Sequence, residues 1–180
     1  MKNVARIALA LSALALAAPA AAQQSRPTLG LGVSIVPVDA AGVLPPIEVY
    51  VPIRIAPNFK LEPSLGIWTR DQGGVGANDT RDLVLGLGAF FVKPIAGAAD
   101  MYVGGRLKLN FAKTDDGTTS NSDTDIVVAA ALGGEYYLVP LFSIGLEAQL
   151  GLYQRGTAGD FGADDDGFFT TGLGFLRLYF

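Results

Sequence analysis

The stretch Ile47-Glu-Val-Tyr-Val-Pro-Ile-Arg-Ile55 alternates strictly: Ile47, Val49, Val51, Ile53 and Ile55 fall on one side of an extended chain, and Glu48, Tyr50, Pro52 and Arg54 on the other. Successive side chains of a strand point to opposite faces, so this is a strand with one aliphatic face and one that carries both signs of charge. The same period of two recurs along the chain. It predicts eight strands, near 28–37, 47–56, 59–69, 82–92, 101–112, 125–137, 141–153 and 168–180, each 10 to 13 residues long. Strands of globular proteins usually run about 5 or 6 residues, whereas a tilted strand that crosses a bilayer needs about 9 to 11. Bilayer length fits better.

The connections alternate as well. Ala56 to Asn58, Lys93 to Asp100 and Leu138 to Pro140 are compact, Arg70 to Arg81, Lys113 to Thr124 and Gln154 to Gly167 are long, and Val38 to Pro46 is intermediate. Short turns at one end and long polar loops at the other are the plan of a closed sheet in an outer membrane. A charge count tests this, because a charged side chain on the lipid face near the midplane costs about 2 to 4 kcal/mol. Taking every second residue of Leu29–Ile35, Ile47–Ile55, Phe59–Ile67, Leu83–Phe91, Met101–Phe111, Ile126–Leu138, Phe142–Leu152 and Phe168–Phe180 gives 45 positions, none of them charged. At the chain's charge frequency of 17%, about 8 charged residues are expected there by chance. The opposite face holds Glu48, Arg54, Lys60, Glu62, Arg106, Lys108, Glu135, Glu147 and Arg177.

A soluble barrel of the lipocalin kind reverses the faces, and then Trp68, Phe90, Tyr102, Phe169, Leu173, Phe175 and Tyr179 would stand in water. They suit a crowded interior. On the apolar face Phe59, Phe91, Tyr136, Phe142 and Phe180 gather at the short-turn ends as an interfacial girdle, with Phe111 and Phe168 at the other end. The expected fold is all-β, an eight-stranded antiparallel up-and-down transmembrane β-barrel.

Composition narrows the chemistry. The chain has 180 residues, 50% hydrophobic, with no Cys and no His. It is long enough for one domain, has no disulfide framework or thiolate site, and lacks the commonest general base and metal ligand. A net charge of −4, with Lys and Arg dispersed, argues against a nucleic-acid partner. Lys2 and Arg6, the apolar Ile7 to Ala18 and the small Ala20, Ala21 and Ala22 read as an export signal over residues 1–22, cleaved before Gln23. The barrel domain is then 23–180. The leader's apolar stretch is well short of the ~20 residues that a spanning helix needs.

The last strand, Gly172-Leu-Gly-Phe-Leu-Arg-Leu-Tyr-Phe180, resembles the C-terminal signature of bacterial outer-membrane proteins, with Phe180 last and Leu178 and Leu176 on the same face. With eight strands and a leader, the chain resembles the small barrels of the OmpA transmembrane domain, OmpX and OmpW. That resemblance implies that the barrel assembly machinery reads Leu176, Leu178 and Phe180. It implies a place in the outer membrane of a Gram-negative bacterium, among its lipid and lipopolysaccharide. The long loops and the nine charged interior residues favour a non-enzymatic structural or surface-interaction role, while on the OmpW side the resemblance implies a narrow channel or transporter for small solutes.

Eight strands enclose an interior just wide enough for side chains, so a wide diffusion pore is not expected. Ranked by distance from the short-turn ends, Arg106 falls near Glu147 and Lys108 near Glu48, while Arg54, Lys60, Glu62, Glu135 and Arg177 form a lower group. Opposite signs share every level. This predicts a cross-lumen ion-pair network, since a buried unpaired charge carries a desolvation penalty of several kcal/mol. Such a network either plugs the lumen or lines a narrow gated path. Catalysis and cofactors are not expected: Ser34, Ser64, Ser143 and Thr171 face inward, but only a Lys such as Lys60 could serve as their base. Eight of the 13 Asp lie in Lys113 to Asp125 and Gln154 to Gly167. Oxygen ligands such as Asp160, Asp164, Asp165 and Asp166 suit Ca²⁺ or Mg²⁺, although a solvated loop needs no ion. The same long loops offer a contact surface for a ligand outside the cell.

Overall fold

The computed structural model describes residues 27–35, 47–70, 79–115, 119–154 and 166–180. Among them run nine strands: β1 (Gly30–Ile35), β2 (Ile47–Tyr50), β3 (Ile53–Ala56), β4 (Phe59–Arg70), β5 (Asp79–Ala96), β6 (Ala99–Asp115), β7 (Ser120–Val139), β8 (Phe142–Gln154) and β9 (Asp166–Tyr179). Every pairing is antiparallel, and the sheet closes because β1 pairs with both β9 and β2 while β2 pairs on with β4. The strands β2 and β3 are two halves of one crossing, so the barrel is eight-stranded.

The break within that crossing departs from the single strand expected over 47–56 and has a covalent cause. Pro52 has no N–H to give to a ladder. Neighbouring groups bridge the gap: Val51 N donates to Pro63 O at 2.9 Å, Gly30 N to Pro52 O at 3.1 Å, and Arg54 N to Thr28 O at 2.7 Å.

Three turns of two residues, Pro57–Asn58, Gly97–Ala98 and Pro140–Leu141, share one end of the barrel. The connection expected over Lys93 to Asp100 is therefore mostly strand. Its turn is held by Gly97 at φ 37°, a left-handed conformation that a Cβ disfavours. At the other end β5, β6 and β7 reach 18, 17 and 20 residues, well past bilayer length. Much of the polar segment Lys113 to Thr124 is strand too, since β6 ends at Asp115 and β7 begins at Ser120. Strands standing in water on both sides carry no apolar alternation, so periodicity does not reveal them.

Side-chain sorting is inverted relative to a soluble protein. None of the 45 outward positions is buried; Ile47, Leu85 and Leu178 are 54%, 45% and 56% exposed. The interior instead packs Tyr50, Phe90, Val92, Tyr102, Leu173 and Phe175 into one cluster, with buried charged groups among them. Gly133 and Gly145 make room for it, since a Cβ on either would run into the ring of Tyr102 or Phe175. Outside, at the short-turn end, Phe59 and Phe91 meet edge to face with ring centroids 5.4 Å apart.

Candidate functional site

Strand parity sends Glu48 of β2, Lys60 and Glu62 of β4, Arg106 and Lys108 of β6, Glu135 of β7, Glu147 of β8 and Arg177 of β9 into the lumen, all buried. Glu62 stands at the centre. Its Oε1 lies 2.5 Å from Arg177 Nη2 and 2.7 Å from Lys60 Nζ, and its Oε2 lies 2.8 Å from Arg106 Nη2. Arg106 grips Glu147 with both arms of its fork, Nε to Oε1 at 2.6 Å and Nη2 to Oε2 at 2.7 Å. Arg177 Nη1 also donates to Glu135, which sits 3.6 Å from Lys60 Nζ. Three cations and three carboxylates thus form one connected, electrically balanced cluster across five strands. Balance and close geometry are what let buried charges persist away from water.

Neutral donors fill the remaining valences. The Tyr102 hydroxyl donates to Glu147 at 2.8 Å and Gln149 Nε2 to the same carboxylate at 2.7 Å. Ser143 and Tyr179 hydroxyls donate to Glu135 at 2.6 and 2.5 Å. The cations also lie over aromatic faces: Arg177 is 4.0 Å from the Phe175 centroid, Lys60 Nζ 4.2 Å from Tyr102 and Arg106 4.8 Å from Phe90. Toward the loops, Lys108 reaches across to Glu48 at 2.7 Å, and Asn110 Nδ2 donates to Asp125 at 2.9 Å.

Two placements differ from the ranking by chain position. Arg54 does not join Lys60 and Glu62; it pairs with Asp100 at 2.7 Å. Asp100, expected at the end of a compact connection, is the second residue of β6 and shares the inward parity of Tyr102 and Arg106. Extending that parity back one step is the signal that finds it. Glu62, ranked below Arg106, nevertheless reaches it, because tilted strands shift the level of residues that chain position alone would separate.

The remaining candidates sit elsewhere. Leu176, Leu178 and Phe180 are on the outer face, Phe180 69% exposed. Asp166 is the exposed first residue of β9, opposite Gln154, while Asp160, Asp164 and Asp165 lie outside the described residues. Asp115, Asp123 and Asp125 belong to β6 and β7 rather than to a loop. Among the described residues no three acidic side chains come together as a metal site. Residues 1–22 also lie outside the described part.

Comparison with known proteins fits this architecture. Neisserial surface protein A superposes with a TM-score of 0.56 at 15% identity, covering 84% of this chain and 96% of its own. The N-terminal barrel domain of Pseudomonas aeruginosa OprF gives 0.52 at 14% identity, over 86% of this chain and 100% of the other. The attachment invasion locus protein Ail of Yersinia pestis gives 0.51 at 14% identity, over 86% and 99%. No curated protein matches the sequence. The outer membrane protein beta-barrel domain model matches residues 7–175, nearly the whole chain. A closed eight-stranded sheet with an apolar exterior, matched along that length, makes this chain a member of the outer-membrane β-barrel domain family.

Proposed function

We propose that the chain is a non-enzymatic structural and surface-presenting barrel of the Gram-negative outer membrane, delivered there by residues 1–22 and closed to diffusion by its own ion pairs. The contact of Glu62 with Lys60, Arg106 and Arg177 carries the reading, because it ties β4, β6 and β9 together across the lumen. An interior of this size has little room for solute once such side chains meet at its centre. The surface role is supported by β5, β6 and β7, whose polar ends continue the sheet beyond the apolar band. Leu176, Leu178 and Phe180 are the proposed contacts for the assembly machinery.

Planar-bilayer recording tests the plug. The wild type should show no steady conductance, while Glu147→Ala and Arg106→Ala should open measurable single channels. Steady wild-type conductance would refute it.

A narrow gated path is the second reading, and one observation favours it. On the loop side of the six-charge cluster, Lys108 and Glu48 pair with each other, and Ser34 Oγ, Glu48 Oε1 and Asn110 Oδ1 are buried without a hydrogen-bond partner among the described residues. Polar atoms so placed suit a hydrated half-lumen. Conductance in the wild type, abolished by cross-linking β2 to β6, is its expected signature.

A further inference from the structure

One rung of the sheet runs unbroken across six strands on the loop side of the six-charge cluster. Ser34 of β1 faces Glu48 of β2, Glu48 faces Gly66 of β4, and the register continues through Val84 and Asn110 to Asp125 of β7. All six point inward and are buried. Gly66 has no side chain and Val84 a short one, so the middle of the rung leaves room for the polar ends beside it. Those ends use one arm and leave another. Glu48 Oε2 takes Lys108 Nζ at 2.7 Å, while its Oε1 has no hydrogen-bond partner among the described residues. Asn110 Nδ2 donates to Asp125 Oδ2 at 2.9 Å, which fixes the amide's orientation because a carboxylate only accepts. Asn110 Oδ1 therefore points away from Asp125, and it too has no partner among the described residues. Ser34 Oγ, on the direct cross-strand partner of Glu48, is the third such atom. Glu48, Asn110 and Ser34 are 3%, 8% and 2% exposed, so whatever completes their valences sits inside the barrel with them.

Charge decides what that is. The six-charge cluster is balanced, whereas in this rung two buried carboxylates, Glu48 and Asp125, stand against the one ammonium of Lys108. Water satisfies the acceptors and leaves the charge in place; a cation does both. We propose that the loop-side half of the lumen binds a partly hydrated monovalent cation, an alkali-metal ion, between Glu48 Oε1 and Asn110 Oδ1, with Ser34 Oγ as a further oxygen. A carboxylate, an amide carbonyl and a hydroxyl are hard donors of the kind such an ion takes. Single charge fits better than double, because no third acid joins the pair among the described residues and Lys108, on the other oxygen of Glu48, repels a divalent ion twice as strongly. The way in has the same sign. The next inward rung toward the loops sets Trp68, Asp82, Ala112 and Asp123 in register, with both Asp half-buried and Trp68 38% exposed. Carboxylates at a mouth draw cations toward it. At the inner end Arg106 and its partners close the lumen, so the site is blind, and its occupancy does not depend on whether that closure ever opens.

The test uses the full chain refolded in zwitterionic detergent, with sodium or potassium chloride replacing N-methylglucamine chloride at constant ionic strength, and reads the thermal midpoint. The bulky organic cation does not fit the rung, so the wild type should gain stability saturably as an alkali ion replaces it. Asp79→Asn, which removes an exposed carboxylate from the outer face, should give the same isotherm. Asp125→Asn should weaken the apparent affinity about tenfold or more, for the loss of one charge at a site screened from water. Asn110→Leu keeps every charge and removes the carbonyl oxygen, and it should weaken the affinity as well. A flat response of the wild type overturns the proposal, and that comparison needs no variant to refold. An undiminished isotherm in Asn110→Leu overturns the site, and calcium binding more tightly than sodium overturns the single charge. If Asp125 only anchored Asn110, Asp125→Asn would lose the same stability in either salt. The proposal expects it to be at least as stable as the wild type in N-methylglucamine, where the wild type keeps its excess charge. Conductance is no part of this readout, so a conducting wild type refutes the plug and leaves the isotherm to decide the cation site.

Discussion

Replacing Arg106 by Ala, Glu147 by Ala, and then both together isolates the energy that holds the centre of the lumen. Arg106→Ala leaves Glu147 buried with, among the described residues, only the Tyr102 hydroxyl at 2.8 Å and Gln149 Nε2 at 2.7 Å, neutral donors facing a full negative charge. Glu147→Ala leaves Arg106 its bond to Glu62 at 2.8 Å but strands the other arm of the fork. Breaking one side of a buried pair costs about 3 to 5 kcal/mol. Arg106→Ala belongs at the upper end of that range and Glu147→Ala, with one carboxylate still in reach, at the lower end. The double variant restores charge balance to the cluster and loses only packing and the shared bonds. It should therefore cost about 3 kcal/mol less than the two single losses added, close to the worth of two charge-assisted hydrogen bonds. Equilibrium urea unfolding in lipid vesicles, extrapolated linearly, supplies the four free energies. Single losses that add within about 0.5 kcal/mol would mean that the two groups do not interact. Either single loss below about 1 kcal/mol would mean that lumen water, not the partner, satisfies the charge.

Leu107 faces outward halfway along β6, between Leu87 and Val128, so Leu107→Arg should cost about 2 to 4 kcal/mol in the same unfolding assay. The same cation at exposed Ser120, beyond the apolar band, should change stability by less than about 0.5 kcal/mol. Phe180→Ala removes a ring that touches little of the protein, so refolding into micelles should be nearly unaffected. If the assembly machinery reads Phe180, the amount of barrel in cell membranes should nonetheless fall several-fold. Equal amounts by quantitative blotting would remove it from the signal.

How much of this was legible in the sequence depends on whether a pattern is local. Parity is local: Ile47 to Ile55 names its two faces without reference to any other strand, and the same holds down to Phe180. Register is not. Arg106 could be matched to Glu147 because both sit near mid-strand, but the meeting of Glu62 with Arg106 and Arg177 depends on strand tilt and shear, which no single segment encodes. Asp100 was lost to a subtler cause. The Lys93 to Asp100 stretch holds Pro94 and Gly97, strong signs of a turn, yet strand runs up to Ala96 and resumes at Ala99. The extension of β6 and β7 through Asp115 and Ser120 was hidden because a strand bathed in water needs no apolar face.

The lumen charges also bear on how the barrel closes. Arg177 lies on the last strand, and its two carboxylate partners lie 115 and 42 residues earlier, on β4 and β7. Until β9 docks between β8 and β1, Glu62 and Glu135 share only Lys60 and the single bond from Arg106. Two carboxylates facing one cation and part of another are costly to desolvate, so an open sheet lacking β9 resists entering hydrocarbon with its lumen dry. Docking β9 completes the backbone ladder and the charge balance in one step, since the strand that removes the last free edge also carries the missing cation. Closure of the sheet and neutralisation of its interior are the same event, and they leave the aliphatic exterior as the only surface that the membrane must accommodate.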